Sequence, residues 1–384
     1  MPKKTKKIAL LGATGSIGRS TLDLVARFPE RYQVVAMGGG RKIEELLALA
    51  RRFQPQLLSV QEESGAEELR RALRESGLRI PVMAGQAGAV AVATHTQAEI
   101  VVAAMVGAVG LEPTHAALQA GKDVALANKE SMVMAGRLLN QLALSTGASI
   151  LPLDSEHSAI WQALNGEAKK GVAKLILTAS GGPFRDFSAE RMQEVTPAQA
   201  MCHPRWQMGP KITIDSATMM NKALEIIEAR WLFDIVPEKI EVLVHPQSIV
   251  HSLVEYVDGS VLAQLGLPDM RLPIGYALAY PERLALELPR LDLAVLGRLD
   301  FFPADPERFP ALSLVRQALA AGDSGAIAFN AANEVAVELF RQGEIGFLEI
   351  AETVADVLQT VVREEFSSLT EILDFDAQIR QSLL

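Results

Sequence analysis

Cysteine is almost absent: Cys202 is the single one in 384 residues. An internal disulfide and a cysteine-rich zinc site are therefore excluded, and a reducing, cytoplasmic setting is the expectation. Basic excess is lacking too. Lysine and arginine number 37 against 46 aspartates and glutamates, a net charge of −9, which argues against nucleic acid as a partner and leaves only local basic sites for a small anion. The longest mainly apolar run, Ile100 to Leu111, falls short of the roughly 18 to 20 residues that cross a bilayer. No membrane partner is expected. Lys3, Lys4, Lys6 and Lys7 precede an apolar stretch, Ile8 to Leu11, too short for a secretory h-region, so they read as a solvated tail. Internal repeats are missing as well, which sets solenoids and propellers aside.

What is present is a globular balance of 49% apolar and 22% charged residues, enough for a sizeable core and, at this length, two or three domains. Short apolar runs at Ile8 to Leu11, Gln33 to Met37, Leu57 to Val60, Ile100 to Ala104, Val124 to Ala127 and Ser149 to Leu153 alternate with helical patterns. Runs apolar on both faces suit parallel strands between crossover helices. The expectation is an α/β protein whose residues 1–153 form a Rossmann-like, doubly wound nucleotide domain. Residues 154–280 change texture and predict a mixed α+β unit with functional loops. Pro281, Pro289, Pro303, Pro306 and Pro310 predict a linker over 281–310. Phe347, Ile350, Ala351, Val354, Ala355 and Leu358 then repeat as one helical face, predicting a small helical domain over 311–384.

The first strand runs into Gly12-Ala13-Thr14-Gly15-Ser16-Ile17-Gly18, a glycine-rich turn before a helix. Such a turn lets backbone N–H groups approach a pyrophosphate at the positive helix terminus, and it also serves as a plain tight turn; the GxxGxxG spacing departs from GxGxxG. After the second strand, where an NAD site usually carries an acid for the ribose 2′-hydroxyl, the chain reads Gly38-Gly39-Gly40-Arg41-Lys42. Two cations suit a 2′-phosphate, hence NADPH over NADH. Their alternative is a solvated pair at a helix start, although cations match a helix amino terminus poorly.

Asp154-Ser155-Glu156-His157 follows a strand, at the carboxyl end where open α/β sheets bind ligands. In an extended segment Asp154 and Glu156 would point the same way, and two hard oxygens suit Mg²⁺ or Mn²⁺, with Co²⁺ a further candidate. An aspartate there also reads as a helix N-cap. In Asp215 to Glu225, Lys222 and Glu225 share a helical face, while Ser216, Asn221 and Lys222 are donors fit for a phosphate. The other reading is an ordinary polar helix surface. Ser180-Gly181-Gly182 permits close backbone approach, and His203 to Gly209, with Trp206, suits a water-excluding lid. Cys202 shows no base partner and is given no catalytic role.

Together with Leu126 to Glu130, His245 to Ser252 and Phe329 to Glu334, these strings resemble the 1-deoxy-D-xylulose 5-phosphate reductoisomerase family over nearly the whole chain. The resemblance implies that Asp154, Glu156 and Glu225 bind the divalent cation, with Lys129 and Ser155 at the substrate's ketone-diol end. It implies that the α+β unit over 154–280 is a catalytic domain with a mobile flap at about 181–210. It implies a phosphate grip by Ser180, Ser216, Asn221 and Lys222, with His203 nearby and Trp206 on the flap. Thr14, Gly15, Ser16, Ile17, Gly40, Arg41, Lys42, Asn128, Glu130 and Gly209 match NADPH contacts; at Lys42 the family commonly has Asn, and Cys202 also departs from its pattern. The implied reaction rearranges the sugar phosphate to a branched aldehyde and reduces it with NADPH to 2-C-methyl-D-erythritol 4-phosphate, in a homodimer. A dehydrogenase of another phosphorylated polyol is the main rival, and a non-catalytic NADPH sensor a second.

Overall fold

The computed structural model describes residues 5–202, 206 and 208–384. Seven strands, β1 Lys6–Leu11, β2 Tyr32–Gly38, β3 Leu57–Val60, β4 Val82–Ala84, β5 Ile100–Ala103, β6 Asp123–Leu126 and β7 Ile150–Pro152, form one sheet in the order β4-β3-β2-β1-β5-β6-β7. Every pairing in it is parallel. Ile8, Ala9, Leu10 and Leu11 are all buried, as a strand with helices on both faces requires. Strand order reverses at β1, which places the crevice of a doubly wound sheet at the carboxyl ends of β1 and β5. β4 lies outside the expected strands because three residues carry no readable alternation.

The turn after β1 needs its glycines. Gly12 has φ +80°, and a Cβ there would lie 2.3 Å from the Ala104 carbonyl oxygen. A Cβ on Gly18 would lie 2.3 Å from the Gly12 oxygen, so the helix Ser16–Arg27 reaches this close to the strand only without side chains at both positions.

A second sheet, β8 Val172–Ala179, β9 Ile240–Val244, β10 Val250–Tyr256, β11 Val261–Leu265 and β12 Phe302–Pro303, has the order β11-β10-β8-β9-β12. β8 and β9 are parallel and the remaining pairs antiparallel. Its core joins Leu175 and Leu177 of β8 to Leu224 and Ile227 of the helix Met220–Phe233 and to Phe329 and Phe340 of the helix Gly322–Gln342.

The chain divides into two compact units. One runs to Ser131 and adds Arg137–Asp154 and Met270–Ala285; the other comprises Met132–Gly136, Ser155–Asp269 and Leu286–Leu384. Two differences from the sequence expectation stand out. The helix Arg271–Ala279 packs on Ser16–Arg27, β6 and β7 of the first unit, beyond the anticipated end of the nucleotide domain. The helices after Pro310 contribute Leu314, Val315, Phe329 and Val354 to the same core as β8, so among the described residues they share the second unit instead of standing as a separate body. The anticipated apolar face of Phe347 to Leu358 appears on the helix Glu349–Thr360, with Ile350, Val354 and Leu358 buried.

Candidate active site

At the amino end of Ser16–Arg27 the capping residue Gly15 makes no side-chain cap and the first turn holds no acidic residue. First-turn N–H groups with no side-chain partner are what a pyrophosphate takes up. Thr14 is buried, while Gly15 and Ser16 are exposed and Ile17 is intermediate. Gly40, Arg41 and Lys42 follow β2 directly and precede the helix Ile43–Phe53. Arg41 Nε pairs with Glu62 at 2.9 Å, and Lys42 Nζ lies 3.8 Å from Glu45, which is itself gripped by Arg19. Both pairs are exposed, so they oppose a competing anion only weakly.

Asn128 is buried and fully engaged. Its Nδ2 donates to the carbonyls of Met105 at 2.8 Å and Gly107 at 3.0 Å and to Glu130 at 3.0 Å, and its Oδ1 accepts from the Ser131 N–H at 3.1 Å, capping the helix Lys129–Thr146. Its direct role is thus to hold the loop after β5 and the helix start. Asn128→Ala removes a cap and two carbonyl partners together, and is expected to lower stability by about 1–3 kcal/mol. Thermal denaturation with and without NADPH checks this.

Asp154 stands immediately before the helix Ser155–Leu164. The segment is thus helical from Ser155, not extended, because the strand ends at Pro152 and the next turn winds at once. Glu156 lies in its first turn, where a carboxylate is favoured by the helix dipole. Asp154, Glu156 and Glu225 each present an oxygen, all within 4.8 Å of one another. Asp154 and Glu156 remain partly accessible, with side chains 16% and 19% exposed, whereas Glu225 is at 0%. Lys129 Nζ pairs with Asp154 at 2.6 Å. Lys222 Nζ donates to Glu156 at 2.9 Å and also to Glu225. Asn221 Nδ2 donates to Glu225 and Ser155 Oγ to Glu156, each at 2.5 Å.

Three carboxylates against two ammonium groups leave one net negative charge, and the donor set is hard oxygen throughout. Mg²⁺ and Mn²⁺ fit such a set; a soft-metal site would need sulfur or imidazole. Burial acts to lower the Lys222 pKa, yet Glu156 and Glu225 outweigh it and leave the pKa raised. A divalent cation bound at these carboxylates would compete with the ammonium for the same oxygens.

Ser180 Oγ accepts from the Gly182 N–H at 3.2 Å, and Gly182 is packed so that a Cβ there would meet the Ser216 carbonyl oxygen at 2.7 Å. Two expected phosphate donors are thereby brought to neighbouring backbone. Asn221 and Lys222 instead point at the carboxylates. Gly209 caps the helix Pro210–Ala217 of the second unit. His203 lies outside the described residues, and Trp206 stands 6.4 Å, ring to ring, from His251.

Three residues had no role assigned from the sequence. His251 is 6% exposed on β10; burial lowers its pKa, with Glu156 opposing. His157 and Glu228 are both at 0% exposure, with His157 Nδ1 at 3.3 Å from Glu228 and Nε2 at 3.0 Å from the Glu225 carbonyl oxygen. The imidazole must donate from Nε2 to that carbonyl, so it braces the backbone of Glu225 from behind. The spacing Lys222, Glu225, Glu228 is the signal in the sequence that marks one helix face.

Known proteins match this arrangement along the chain. Residues 8–136 match the profile of 1-deoxy-D-xylulose 5-phosphate reductoisomerase, 150–233 that of its C-terminal domain, and 265–382 a further DXP reductoisomerase C-terminal domain. The reductoisomerase of Geobacter metallireducens is 51% identical over 98% of this chain and 97% of its own, and that of Pseudomonas syringae pv. tomato 52% identical over 97% and 96%. A crystal structure of DOX-P reductoisomerase with NADPH, fosmidomycin and magnesium has 44% identity and a TM-score of 0.95, covering 98% of this chain and 97% of that one. The Zymomonas mobilis enzyme with NADPH has 45% identity and a TM-score of 0.91, with 98% of each chain covered. With profiles and relatives spanning it from end to end, the chain belongs to the 1-deoxy-D-xylulose 5-phosphate reductoisomerase family.

Proposed function

We infer that this chain converts 1-deoxy-D-xylulose 5-phosphate to 2-C-methyl-D-erythritol 4-phosphate with NADPH and a divalent cation. The carrying observation is the Asp154, Glu156 and Glu225 set, three hard donors within 4.8 Å of one another, in a family whose structures include one with NADPH and magnesium. When bound, the cation supplies a Lewis acid for carbonyl and hydroxyl oxygens, and NADPH supplies the hydride. The protein's part is to hold and orient. Asp154, Glu156 and Glu225 would hold the cation; Lys129 and Ser155, which contact Asp154 and Glu156, are assigned to the substrate's reacting end. Ser180, Ser216, Asn221, Lys222 and His203 are assigned to the phosphate, whose binding energy fixes the reacting end. Trp206 is assigned to the cover that keeps water from the aldehyde.

The cofactor is assigned to Thr14, Gly15, Ser16, Ile17, Gly40, Arg41, Lys42, Asn128, Glu130 and Gly209. Incubation with 1-deoxy-D-xylulose 5-phosphate, NADPH and Mg²⁺, followed by NMR of the product, tests the reaction: a branched methyl-tetritol phosphate supports it and an unbranched polyol phosphate overturns it. Exchanging Arg41 and Lys42 together for Ala is expected to weaken NADPH about tenfold or more and NADH much less, because a 2′-phosphate loses its charge-assisted partners. Equal losses in the two Michaelis constants would remove the 2′-phosphate role. No helix among the described residues is long and apolar enough to cross a membrane. The proposal includes a cytoplasmic homodimer, which sedimentation of the purified protein checks for its oligomeric part.

A further inference from the structure

The string Phe329-Asn330-Ala331-Ala332-Asn333-Glu334 has no part in the chemistry above, yet one of its side chains reaches the helix that carries a phosphate donor. Asn333 is at 0% exposure and Asp215 at 1%. Asn333 Nδ2 donates to Asp215 Oδ1 at 2.9 Å, across from the helix Gly322–Gln342 to the helix Pro210–Ala217. A flipped amide would set two oxygens against each other, so charge fixes its orientation. The other carboxylate oxygen pairs with Lys211 at 2.8 Å. A carboxylate this deeply buried is tolerated only because both oxygens are matched.

The helix so held feeds three elements of the proposed phosphate grip. Ser216 is the next residue. The Ser180 loop is seated on the helix end through Gly182, whose Cβ would meet Ser216 O at 2.7 Å and Ala217 Cα at 3.0 Å. Thr218 donates to the Asp215 carbonyl at 3.2 Å and accepts from the Met220 N–H at 3.3 Å, linking this helix to the one that presents Asn221 and Lys222. A shift of Pro210–Ala217 therefore displaces Ser216 against Ser180.

We propose that Asp215 and Asn333 are positioning residues for substrate phosphate recognition, locking the Ser216 helix to the C-terminal helix. The inference rests on the phosphate assignment made above. A purely structural pair would alter stability alone. A positioning pair alters the Michaelis constant for the phosphorylated substrate more than it alters half-saturating Mg²⁺, since Ser216 follows Asp215 directly whereas Glu225 lies further along the next helix, Met220–Phe233.

The test compares the full-length parent with Asn333→Ala and with the exchange Asp215→Asn plus Asn333→Asp, which keeps a donor opposite a carboxylate. Steady-state rates are measured against 1-deoxy-D-xylulose 5-phosphate and against Mg²⁺, alongside thermal melting. Asn333→Ala is expected to raise the substrate KM about tenfold with half-saturating Mg²⁺ within about twofold of the parent, and the exchange to recover only part of that rise, since it leaves Lys211 facing an amide. If Asn333→Ala does not fold, Asn333→Ser decides: a raised KM with half-saturating Mg²⁺ near that of the parent supports the pair, and a lowered melting point with a parent-like KM overturns it. A lowered melting point with an unchanged KM also overturns it. A parent that does not turn over this substrate defeats the functional reading itself, an outcome separate from any difference between the variants.

Discussion

Glu225→Gln is expected to reduce turnover by about two to three orders of magnitude while the protein stays folded, because a Lewis-acid site accounts for several kcal/mol of transition-state stabilisation. Glu225 is wholly buried and supplies one of the three clustered oxygens. Glutamine nearly keeps its shape and still accepts one hydrogen bond from Asn221 or Lys222, the present donors. The charge is what it loses. Half-saturating Mg²⁺ is expected to rise by about ten- to a hundredfold, in the range seen when the environment of a metal ligand is disturbed. NADPH oxidation across a Mg²⁺ titration, with circular dichroism to confirm the fold, measures both. Parent-like rates at limiting Mg²⁺ would remove Glu225 from the ligand set.

Lys222→Met has an opposite signature at the metal. Lys222 is 3% exposed and its ammonium sits between Glu156 and Glu225. Without a divalent cation, its removal leaves the buried Glu225 carboxylate without a cationic partner, which costs about 3–5 kcal/mol. Added Mg²⁺ restores positive charge at those same oxygens. The variant is therefore expected to melt well below the parent in chelator, to regain most of the difference in Mg²⁺, and to be half-saturated by less Mg²⁺ than the parent. Its kcat/KM is nonetheless expected to drop about a hundredfold or more, because the assigned phosphate partner is gone. Identical melting shifts in chelator and Mg²⁺ would refute the competition between ammonium and cation.

These two residues also mark the limit of what spacing reveals. Lys222 and Glu225 are three apart on one helix, and their pairing is local geometry that any helix supplies. Their partner Glu156 is 66 positions away from Lys222, and no periodicity reports that distance. The phosphate role implied for Lys222 by resemblance and the carboxylate contacts observed here share one side chain, which a flexible four-carbon stem allows. His251 went unassigned for the same reason, since a histidine on a strand has no local mark of function until burial and partners are known, whereas Glu228 is marked only by its three-residue spacing from Glu225. The extended reading of Asp154 and Glu156 failed because the helix beginning at Ser155 follows the apolar strand almost at once, whereas the alternative of a helix starting after Asp154 was in plain view.

The sequence by itself determined the parallel, doubly wound first sheet, since apolar runs with no polar face have to be covered on both sides and glycines at 12 and 18 allow the first helix to close on its strand. It also determined the chemical inventory: hard oxygen donors, lysines and small hydroxyls, with Cys202 the single thiol. Tertiary structure alone decided which of these meet. Convergence of Glu156 with Glu225, of His157 with the Glu225 backbone, and of Asn333 with Asp215 follows from helix packing about one shared core. Local propensity acts over a few residues, while these contacts close loops of tens of residues that only the buried interface holds shut.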